Sequence, residues 1–519
     1  MTVAPSPDAE AIKRGAFSSR KVFILAAIGS AVGLGNIWRF PYVAYENGGG
    51  AFLIPYLVAL LTAGLPFLLM DYGLGHKFRG SAPLSFARLR RGTEFIGWWQ
   101  VGICFMIAIY YAAVIAWALR YTFFSVDKAW EDNADGPAGF FTGDFLEVGP
   151  IEVSTDIVVG VLVPLLVVWV AVLLIMGLGV EKGIGTVSLV LMPVLIIVFA
   201  ILVVQALLLD GAADGLDAFF TPNWDALTEP GVWVAAFGQI FFSLSIGFGI
   251  MITYASYVHR RTDMTGSGLV VGFANSGFEL LASIGVFAAL GFIAQAQGVA
   301  IGEAAGGGGV GLAFIAFPAI ISEAPAGALL GVLFFASLVI AGLTSLVSVI
   351  EVVISAVRDK FEMTRIGASL AVGLPAALVS LALFGTASGL YTLDTVDHFV
   401  NQYGILVVAV VSMLVVAWGV RALRSLAAHH DVYGSLKLGR TWIALVSVIT
   451  PAALTWVLVD SFRTEIDEPY GGYPQWLLNT FGWGSAAIVL VFGVLASLVR
   501  WRPETSLEVP PDVTEETTR

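Results

Sequence analysis

Long apolar runs separated by short polar segments make up most of the 519-residue chain. A helix that crosses a bilayer needs about 20 predominantly apolar residues, and twelve runs reach that length. They lie at about residues 22–44, 51–75, 97–124, 157–177, 185–208, 233–257, 267–297, 326–357, 366–386, 399–421, 441–462 and 480–500. The pattern predicts an all-α polytopic membrane protein with 12 transmembrane helices.

Two of these runs, the first and the sixth, are interrupted at their centres by small and polar residues. The first contains three glycines within residues 29–35, then Asn36 and Arg39, and the sixth contains Ser243, Ser245 and further glycines. Glycine leaves helical geometry readily, and small residues can also simply pack neighbouring helices closely. Because polar groups inside a membrane are costly and usually functional, we interpret both runs as broken helices that bind an ion or a polar solute.

The two interrupted runs stand five helices apart. Matching interruptions in two halves of a chain indicate a transporter built from inverted repeats. We therefore predict a 5+5 inverted repeat, with one half at residues 22–208 and the other at 233–421. A peripheral helix pair would occupy residues 441–500, between a cytoplasmic segment at 1–21 and an acidic, disordered tail at 503–519.

Composition and charge agree with a membrane protein and give it an orientation. Hydrophobic residues make up 58% of the chain and charged residues only 12%. With a cytoplasmic N-terminus, 22 of the 26 Lys and Arg residues fall on the cytoplasmic side, as the positive-inside rule requires. This predicts a multi-pass protein of the cell (plasma) membrane with both termini in the cytoplasm. The net charge of −12 argues against a nucleic-acid partner.

Polar side chains inside other apolar runs are further candidates. Asn275 and Glu279 stand one turn apart in the seventh run, and Thr344 and Ser345 are adjacent in the eighth. A lone carboxylate at the bilayer centre costs about 2.5–3.5 kcal/mol on insertion scales, so Glu279 should have a partner or a function. The two hydroxyl groups could bond a helix carbonyl or ligate a small cation. No nucleophile–base set or metal cluster is present in the sequence, so we do not expect an enzyme.

Several motifs resemble those of the neurotransmitter:sodium symporter family, especially its prokaryotic amino-acid members. They are G-S-A-V-G-L-G-N-I-W-R-F-P at 29–41, E-N-G-G-G-A-F at 46–52, I-F-F-S-L-S-I-G-F-G at 240–249, T-Y-A-S-Y at 253–257 and A-G-L-T-S at 341–345. The resemblance extends over about residues 13–400. It implies the leucine-transporter fold, with helices 1 and 6 broken, and sodium-coupled secondary active symport by alternating access.

The resemblance implies two Na⁺ sites. One would consist of the carbonyl groups of Gly29, Val32 and Ala341 and the hydroxyl groups of Thr344 and Ser345. The other would consist of the Ala31 carbonyl and the side chains of Asn36, Ser243 and Asn275. The carboxylate of the substrate would complete this second site and so couple the ion to the substrate.

The resemblance also implies a substrate class. Biogenic-amine members have an aspartate at the position of Gly33, so this substrate should supply its own carboxylate. The implied substrate site consists of Ser30, Ala31, Leu34, Gly35, Ile107, Tyr111, Phe242, Ser243, Ser245, Phe248, Ser345 and Val349. This apolar, uncharged lining favours a neutral amino acid that is hydrophobic or aromatic.

The resemblance also implies which residues form the gates and which residue takes the place of chloride. Arg39 and Asp397 would form the outer gate, and Arg14, Asp359 and Tyr257 the inner gate. Chloride-requiring members have serine at the position of Glu279. Here that carboxylate, beside Tyr56 and Gln239, would supply the negative charge. The resemblance therefore implies no chloride requirement and leaves proton antiport through Glu279 open.

Three alternatives remain open at this point. A proton-coupled or uniport amino-acid permease could use the same fold. A non-transporting amino-acid sensor or a channel belongs to another class, although a channel should lack the paired gates. The expected partners are a small amino acid and the lipid bilayer, and the sequence leaves the preferred amino acid and the oligomeric state open.

Overall fold

A computed structural model describes residues 16–304 and 309–510 of the chain. In this part the secondary structure is helical, with no β-strand and only two isolated β-bridges. Nine helices there are long and apolar enough to cross a membrane, or ten when one bent pair is counted as a single span. The prediction of an all-α membrane protein is therefore confirmed.

The longer helices of the first half follow one another through short connections. They are α1 (Arg20–Ala31), α2 (Leu34–Glu46), α3 (Gly50–Phe78), α4 (Ala82–Leu89), α5 (Glu94–Asp127), α6 (Val159–Gly179), α7 (Thr186–Leu207) and α8 (Ala212–Phe220).

The second half continues in the same manner. It contains α9 (Pro230–Ser243), α10 (Ile250–Ser256), α11 (Met264–Gln297), α12 (Gly309–Glu323), α13 (Gly327–Phe361), α14 (Arg365–Phe384), α15 (Gly389–Gly419), α16 (Leu423–Tyr433), α17 (Arg440–Gly472) and α18 (Gln475–Leu498).

The helix bounds follow the predicted runs closely, with two informative differences. The fourth and fifth runs form one continuous apolar stretch over Val159–Leu207, in which Gly179 (φ 90°) separates α6 from α7. The tenth span, α15, begins at Gly389, ten residues before the predicted run, so that Asp394 and Asp397 lie inside the helix. The count of 12 spans and the inverted repeat stay predictions.

Both broken spans are interrupted where the sequence predicts. The bent pair is α1 and α2, whose axes differ by 54°. In the sixth run, six residues separate α9 from α10. The inner piece α10 packs closely on α3, because a Cβ atom on Gly75 would lie only 1.9 Å from the carbonyl oxygen of Ile252.

The remaining helices divide into a buried set and a set that faces outward. In α5, 83% of the most apolar window is buried inside the protein, whereas only 28% is buried in Val159–Leu207 and 22% in α18. An apolar surface of that kind is stable only against lipid. α5 and α13 lie side by side, and α1 packs against α7, α11 and α13. The broken first span thus lies within the protein, where unwound backbone can be tolerated.

The segment that follows the glycine-rich stretch packs onto this interior. Phe314 of α12 is fully buried and stacks on Phe141, with ring centroids 5.3 Å apart. It also contacts the rings of Trp117 and Tyr121 on α5. Residues 305–308 of the glycine-rich stretch lie outside the described residues. We therefore interpret α12 as a cover over the end of the helix bundle.

On the opposite side, the first and seventh spans are joined at their N-termini. Asp263 caps α11 and forms an ion pair with Arg20 of α1 at 3.3 Å. Burial alone would raise the pKa of Asp263, but hydrogen bonds from the amides of Gly266 and Ser435 outweigh it and lower the pKa to about 2. The carboxylate therefore stays charged at physiological pH and holds the two helices together.

Candidate functional site

The break between α1 and α2 frees main-chain carbonyl groups. The amide of Gly33 donates to Oδ1 of Asn36 at 2.9 Å, and the amide of Leu34 donates to the Tyr111 hydroxyl oxygen at 3.2 Å. In a continuous helix these amides would bond the carbonyl groups four residues earlier, those of Gly29 and Ser30. The end of α1 therefore directs carbonyl oxygens into the protein interior without their helical partners.

The break between α9 and α10 results from left-handed backbone. Ser245, Gly247 and Gly249 have φ angles of 52°, 90° and 86°. Glycine adopts this region at little cost, whereas a serine there needs compensation from its surroundings. The Ser245 hydroxyl donates to the Ser30 carbonyl oxygen at 2.9 Å. This hydrogen bond joins the two breaks directly, so they lie side by side.

Three neutral polar side chains converge beside the joined breaks. Asn36 Nδ2 donates to Asn275 Oδ1 at 2.9 Å and to Ser243 Oγ at 3.3 Å, and Asn275 also donates to Ser243. All three are at most 2% exposed. Amide, hydroxyl and carbonyl oxygens of this kind are ligands for alkali ions at broken helices. Three side chains predicted for the second ion site, from α2, α9 and α11, thus lie in contact, and Ala31 is the last residue of α1.

The other predicted ion site lies where α13 faces the end of α1. The Ser345 hydroxyl donates to the Ser30 carbonyl oxygen at 3.2 Å, and the Thr344 hydroxyl donates to the Ala341 carbonyl oxygen at 3.0 Å. A Cβ atom on Gly29 would lie 3.5 Å from Cβ of Thr344. The hydroxyl groups therefore bond helix carbonyls in this structure, and both residues lie beside the end of α1. Val32, the remaining predicted ligand, caps the same end of α1 and is fully buried.

The predicted substrate site lies between the breaks and is closely lined. A Cβ atom on Gly33 would lie 2.9 Å from the Tyr111 hydroxyl, and one on Gly35 would lie 2.1 Å from the Phe242 ring. Glycine at these two positions therefore permits the close contacts with Tyr111 and Phe242. The Ser30 hydroxyl is buried without a hydrogen-bond partner among the described residues, whereas buried polar groups are normally hydrogen-bonded.

The apolar members of the predicted site are buried as well. Ile107, Phe248 and Val349 are 7%, 5% and 3% exposed. They come from three different elements, α5, the sixth-span break and α13. The lining carries no charge of its own, so it suits an apolar side chain.

Glu279 is fully buried and held by neutral donors. Gln239 Nε2 donates to its Oε1 at 2.7 Å, and the Tyr56 hydroxyl donates to its other oxygen. Among the described residues no Lys or Arg forms an ion pair with it. Glu279 thus contacts both Tyr56 and Gln239, as expected from the sequence, and it lies one helical turn from Asn275.

The two residues predicted for the outer gate are only partly brought together. The Arg39 guanidinium lies over the Phe242 ring, a member of the predicted substrate site, 4.6 Å from its centroid. Asp397 accepts from Asn401 at 2.7 Å. Within the described part of the chain, Arg39 and Asp397 are not within the 4.0 Å of an ion pair. The cover on this side is therefore the Arg39–Phe242 contact.

The inner side is closed by a different set of contacts. Phe17 is 1% exposed, and its ring packs against Tyr254 and Tyr257. Asp359 accepts from the Ser81 amide at 2.9 Å. Arg14, the other predicted gate residue, lies outside the described residues.

Sequence reasoning missed one element of this inner closure. Tyr257 donates to Glu351 Oε1 at 2.6 Å, and Arg365 forms an ion pair with the same carboxylate at 2.7 Å. Glu351 is fully buried within α13. A carboxylate inside an apolar run was the available signal, as it was for Glu279. Arg365, the first residue of α14, was the basic residue available to pair with Glu351.

Comparison with known proteins agrees with this geometry. The model of the sodium:neurotransmitter symporter family matches residues 14–135 and 127–503. An uncharacterized sodium-dependent transporter of Methanocaldococcus jannaschii is 40% identical over 89% of this chain and 93% of its own length. The human sodium- and chloride-dependent GABA transporter 2 is 30% identical over 91% of this chain and 84% of its own.

A solved structure shares the fold. The crystal structure of MhsT in complex with L-phenylalanine superposes with a TM-score of 0.74 at 32% sequence identity. The alignment covers 86% of this chain and all of that one.

Replacing Asn275 tests the three-residue cluster. We expect Asn275→Ala to raise the sodium concentration needed for half-maximal thermal stabilisation of the purified protein by about tenfold or more, because a charge-assisted contact of about 1.5–3 kcal/mol is lost. Asn479→Ala, which alters an exposed asparagine, is the matched control and should behave as wild type. An unchanged sodium titration in Asn275→Ala would contradict an ion site at this cluster.

Proposed function

This chain belongs to the sodium:neurotransmitter symporter family, and we propose that it imports a neutral, hydrophobic or aromatic amino acid together with Na⁺ by alternating access. The observation that carries the proposal is the contact between the two helix breaks. The Ser245–Ser30 hydrogen bond joins the two breaks, and the buried Asn36–Ser243–Asn275 cluster lies beside them. The Ser30 hydroxyl has no hydrogen-bond partner among the described residues.

Two sodium ions would enter as co-substrates. One would bind the Ala31 carbonyl, Asn36, Ser243 and Asn275, and the amino acid's carboxylate would complete that site. The other would bind Gly29, Val32, Ala341, Thr344 and Ser345. Neither the first ion nor the amino acid has a complete site alone. Each would therefore raise the affinity for the other by the same factor.

The absence of a side chain at Gly33 and the uncharged lining support the proposed substrate class. A carboxylate bound beside Gly33 would meet the Tyr111 hydroxyl, 3.2 Å from the Leu34 amide at the N-terminus of α2. Helix N-termini favour negative charge. Ile107, Phe248 and Val349 would receive an uncharged side chain. L-phenylalanine is the ligand in the MhsT structure, which supports an aromatic or large aliphatic amino acid.

The closures on the two sides support alternating access. Arg39 over Phe242 closes one side of the site, and Phe17 with the Tyr257–Glu351–Arg365 contacts closes the other. We infer that these two sets of closing contacts open alternately. Both sets of contacts include residues on or next to the broken spans. Binding of an ion or amino acid at the breaks can therefore alter the contacts that close each side.

Uptake into proteoliposomes tests the proposed function. We expect accumulation of radiolabelled phenylalanine or leucine against its gradient when Na⁺ is outside, and collapse of that accumulation when a sodium ionophore is added or K⁺ replaces Na⁺. Protein-free vesicles give the background.

The other outcomes identify the alternatives. Uptake that needs a proton gradient but no Na⁺ would indicate a proton-coupled permease, and gradient-independent equilibration would indicate a uniporter. Sodium-dependent binding without uptake would indicate a sensor.

Chloride independence rests on Glu279. A buried carboxylate held by Tyr56 and Gln239, with no basic partner among the described residues, supplies one negative charge beside the Asn275 ion site. A chloride ion would supply the same charge. We propose that Glu279 replaces it, and that protonation of this group is the route for any proton antiport.

Substitution of Glu279 tests this replacement. Wild-type uptake should be unchanged when gluconate replaces chloride, whereas Glu279→Ser should lose uptake in gluconate by about tenfold or more and regain it in chloride, because only chloride restores the missing charge. Glu504→Ser, at an exposed site, is the control. Chloride-insensitive uptake by Glu279→Ser would refute the assignment.

A further inference from the structure

Arg120 is a cation on the outward-facing surface of a buried helix. It is exposed on α5, and its guanidinium lies over the Phe124 ring, 4.6 Å from the centroid. Among the described residues no carboxylate lies within the 4.0 Å of an ion pair with it. One face of the guanidinium is therefore occupied by an aromatic ring, and no described carboxylate pairs with its N–H groups.

The position of Arg120 along the helix places it at the edge of the hydrocarbon. α5 has 34 residues, and at about 1.5 Å per residue it is about 50 Å long. Tyr111 lies near its midpoint, so Arg120 lies about 14 Å farther along the axis. The hydrocarbon core extends about 15 Å on each side of the bilayer centre. With the helix midpoint at the bilayer centre, Arg120 lies just inside the edge of the hydrocarbon core, from which its long side chain can extend to the lipid phosphate groups.

An apolar groove runs from Arg120 between α5 and α6. Its volume is about 910 Å³ including the open mouth, and it is lined by Leu119, Arg120, Phe123, Val159, Gly160, Val163, Pro164 and Val167. Phe123, Val159 and Val163 are 61%, 65% and 54% exposed. Gly160 contributes no side chain, and a Cβ atom there would meet nothing closer than 3.8 Å. The groove is thus apolar throughout and has its single charge at one end.

We propose that this groove binds an acyl chain of a membrane phospholipid whose phosphate group pairs with Arg120. A guanidinium binds a phosphate through two parallel N–H donors, and the apolar lining would accept the chain. A free phosphate ion would leave the groove without an occupant, and a chain without a phosphate would leave the arginine unpaired. α5 also presents Tyr111 to the substrate site, so the lipid would lie against a helix that the transport site uses.

Photolabelling of the full-length protein in vesicles tests this site. The probe is phosphatidylcholine with a diazirine on its acyl chain, and labelled peptides are identified by mass spectrometry. We expect labelling of residues 119–123 and 159–167, and a reduction of about fivefold in Arg120→Gln, the ratio that corresponds to about 1 kcal/mol for one basic residue at a lipid surface. Arg463→Gln, another exposed arginine, should label as wild type.

A second pair of variants tests the groove separately from the charge. Val163→Trp should fill the groove and reduce labelling, whereas Leu174→Trp adds the same ring to α6 at a site that is 66% exposed and outside the groove, and should not. Thermal melting confirms that each variant is folded.

Competition with unlabelled compounds requires no variant. On wild-type protein, excess phosphatidylcholine or phosphatidylglycerol should reduce the labelling, whereas diacylglycerol with the same chains should compete about fivefold less well. Labelling that is unchanged in both Arg120→Gln and Val163→Trp would mean non-specific boundary lipid and would overturn the proposal. Equal competition by diacylglycerol, or displacement by inorganic phosphate alone, would also overturn it.

Discussion

Carbonyl oxygens that have lost their helical amide partners determine how the rest of this structure is arranged. Inside a bilayer such oxygens must be satisfied by protein, by an ion or by a ligand, since no water is at hand. At the end of α1 the amides of Gly33 and Leu34 are diverted to Asn36 and Tyr111. The hydroxyl groups of Ser245 and Ser345 then converge on the Ser30 carbonyl oxygen.

The side chains proposed to contact the ion are neutral, and the proposed coupling rests on the negative charge that the substrate adds to that of Glu279 nearby. Asn36, Ser243 and Asn275 provide dipoles but no charge, and the nearby carboxylate, Glu279, is committed to Tyr56 and Gln239. A site of this kind holds a monovalent cation weakly by itself. A zwitterion placed next to the ion adds a full negative charge, and so the two ligands stabilise each other.

Much of this arrangement could be predicted from the sequence because it depends on residues that are rare in membranes. Glycines and polar side chains at mid-span marked both breaks, and Glu279 stood out in an apolar helix. The family assignment made from these motifs is confirmed by the family model. Contacts between distant helices could not be predicted. The Ser245–Ser30 bond depends on a serine in left-handed backbone, and the early start of α15 depends on Asp394 and Asp397 being accepted inside the bundle.

The reciprocal coupling between sodium and amino acid tests the central claim most directly. Equilibrium binding of radiolabelled phenylalanine to the purified protein would be measured over a range of sodium concentrations. The sodium dependence of the protein's thermal stability would be measured with and without phenylalanine. The account predicts that sodium tightens amino-acid binding by about fivefold or more, and that the amino acid tightens sodium binding by the same factor. Amino-acid affinity that does not depend on sodium would contradict a shared site at the joined breaks.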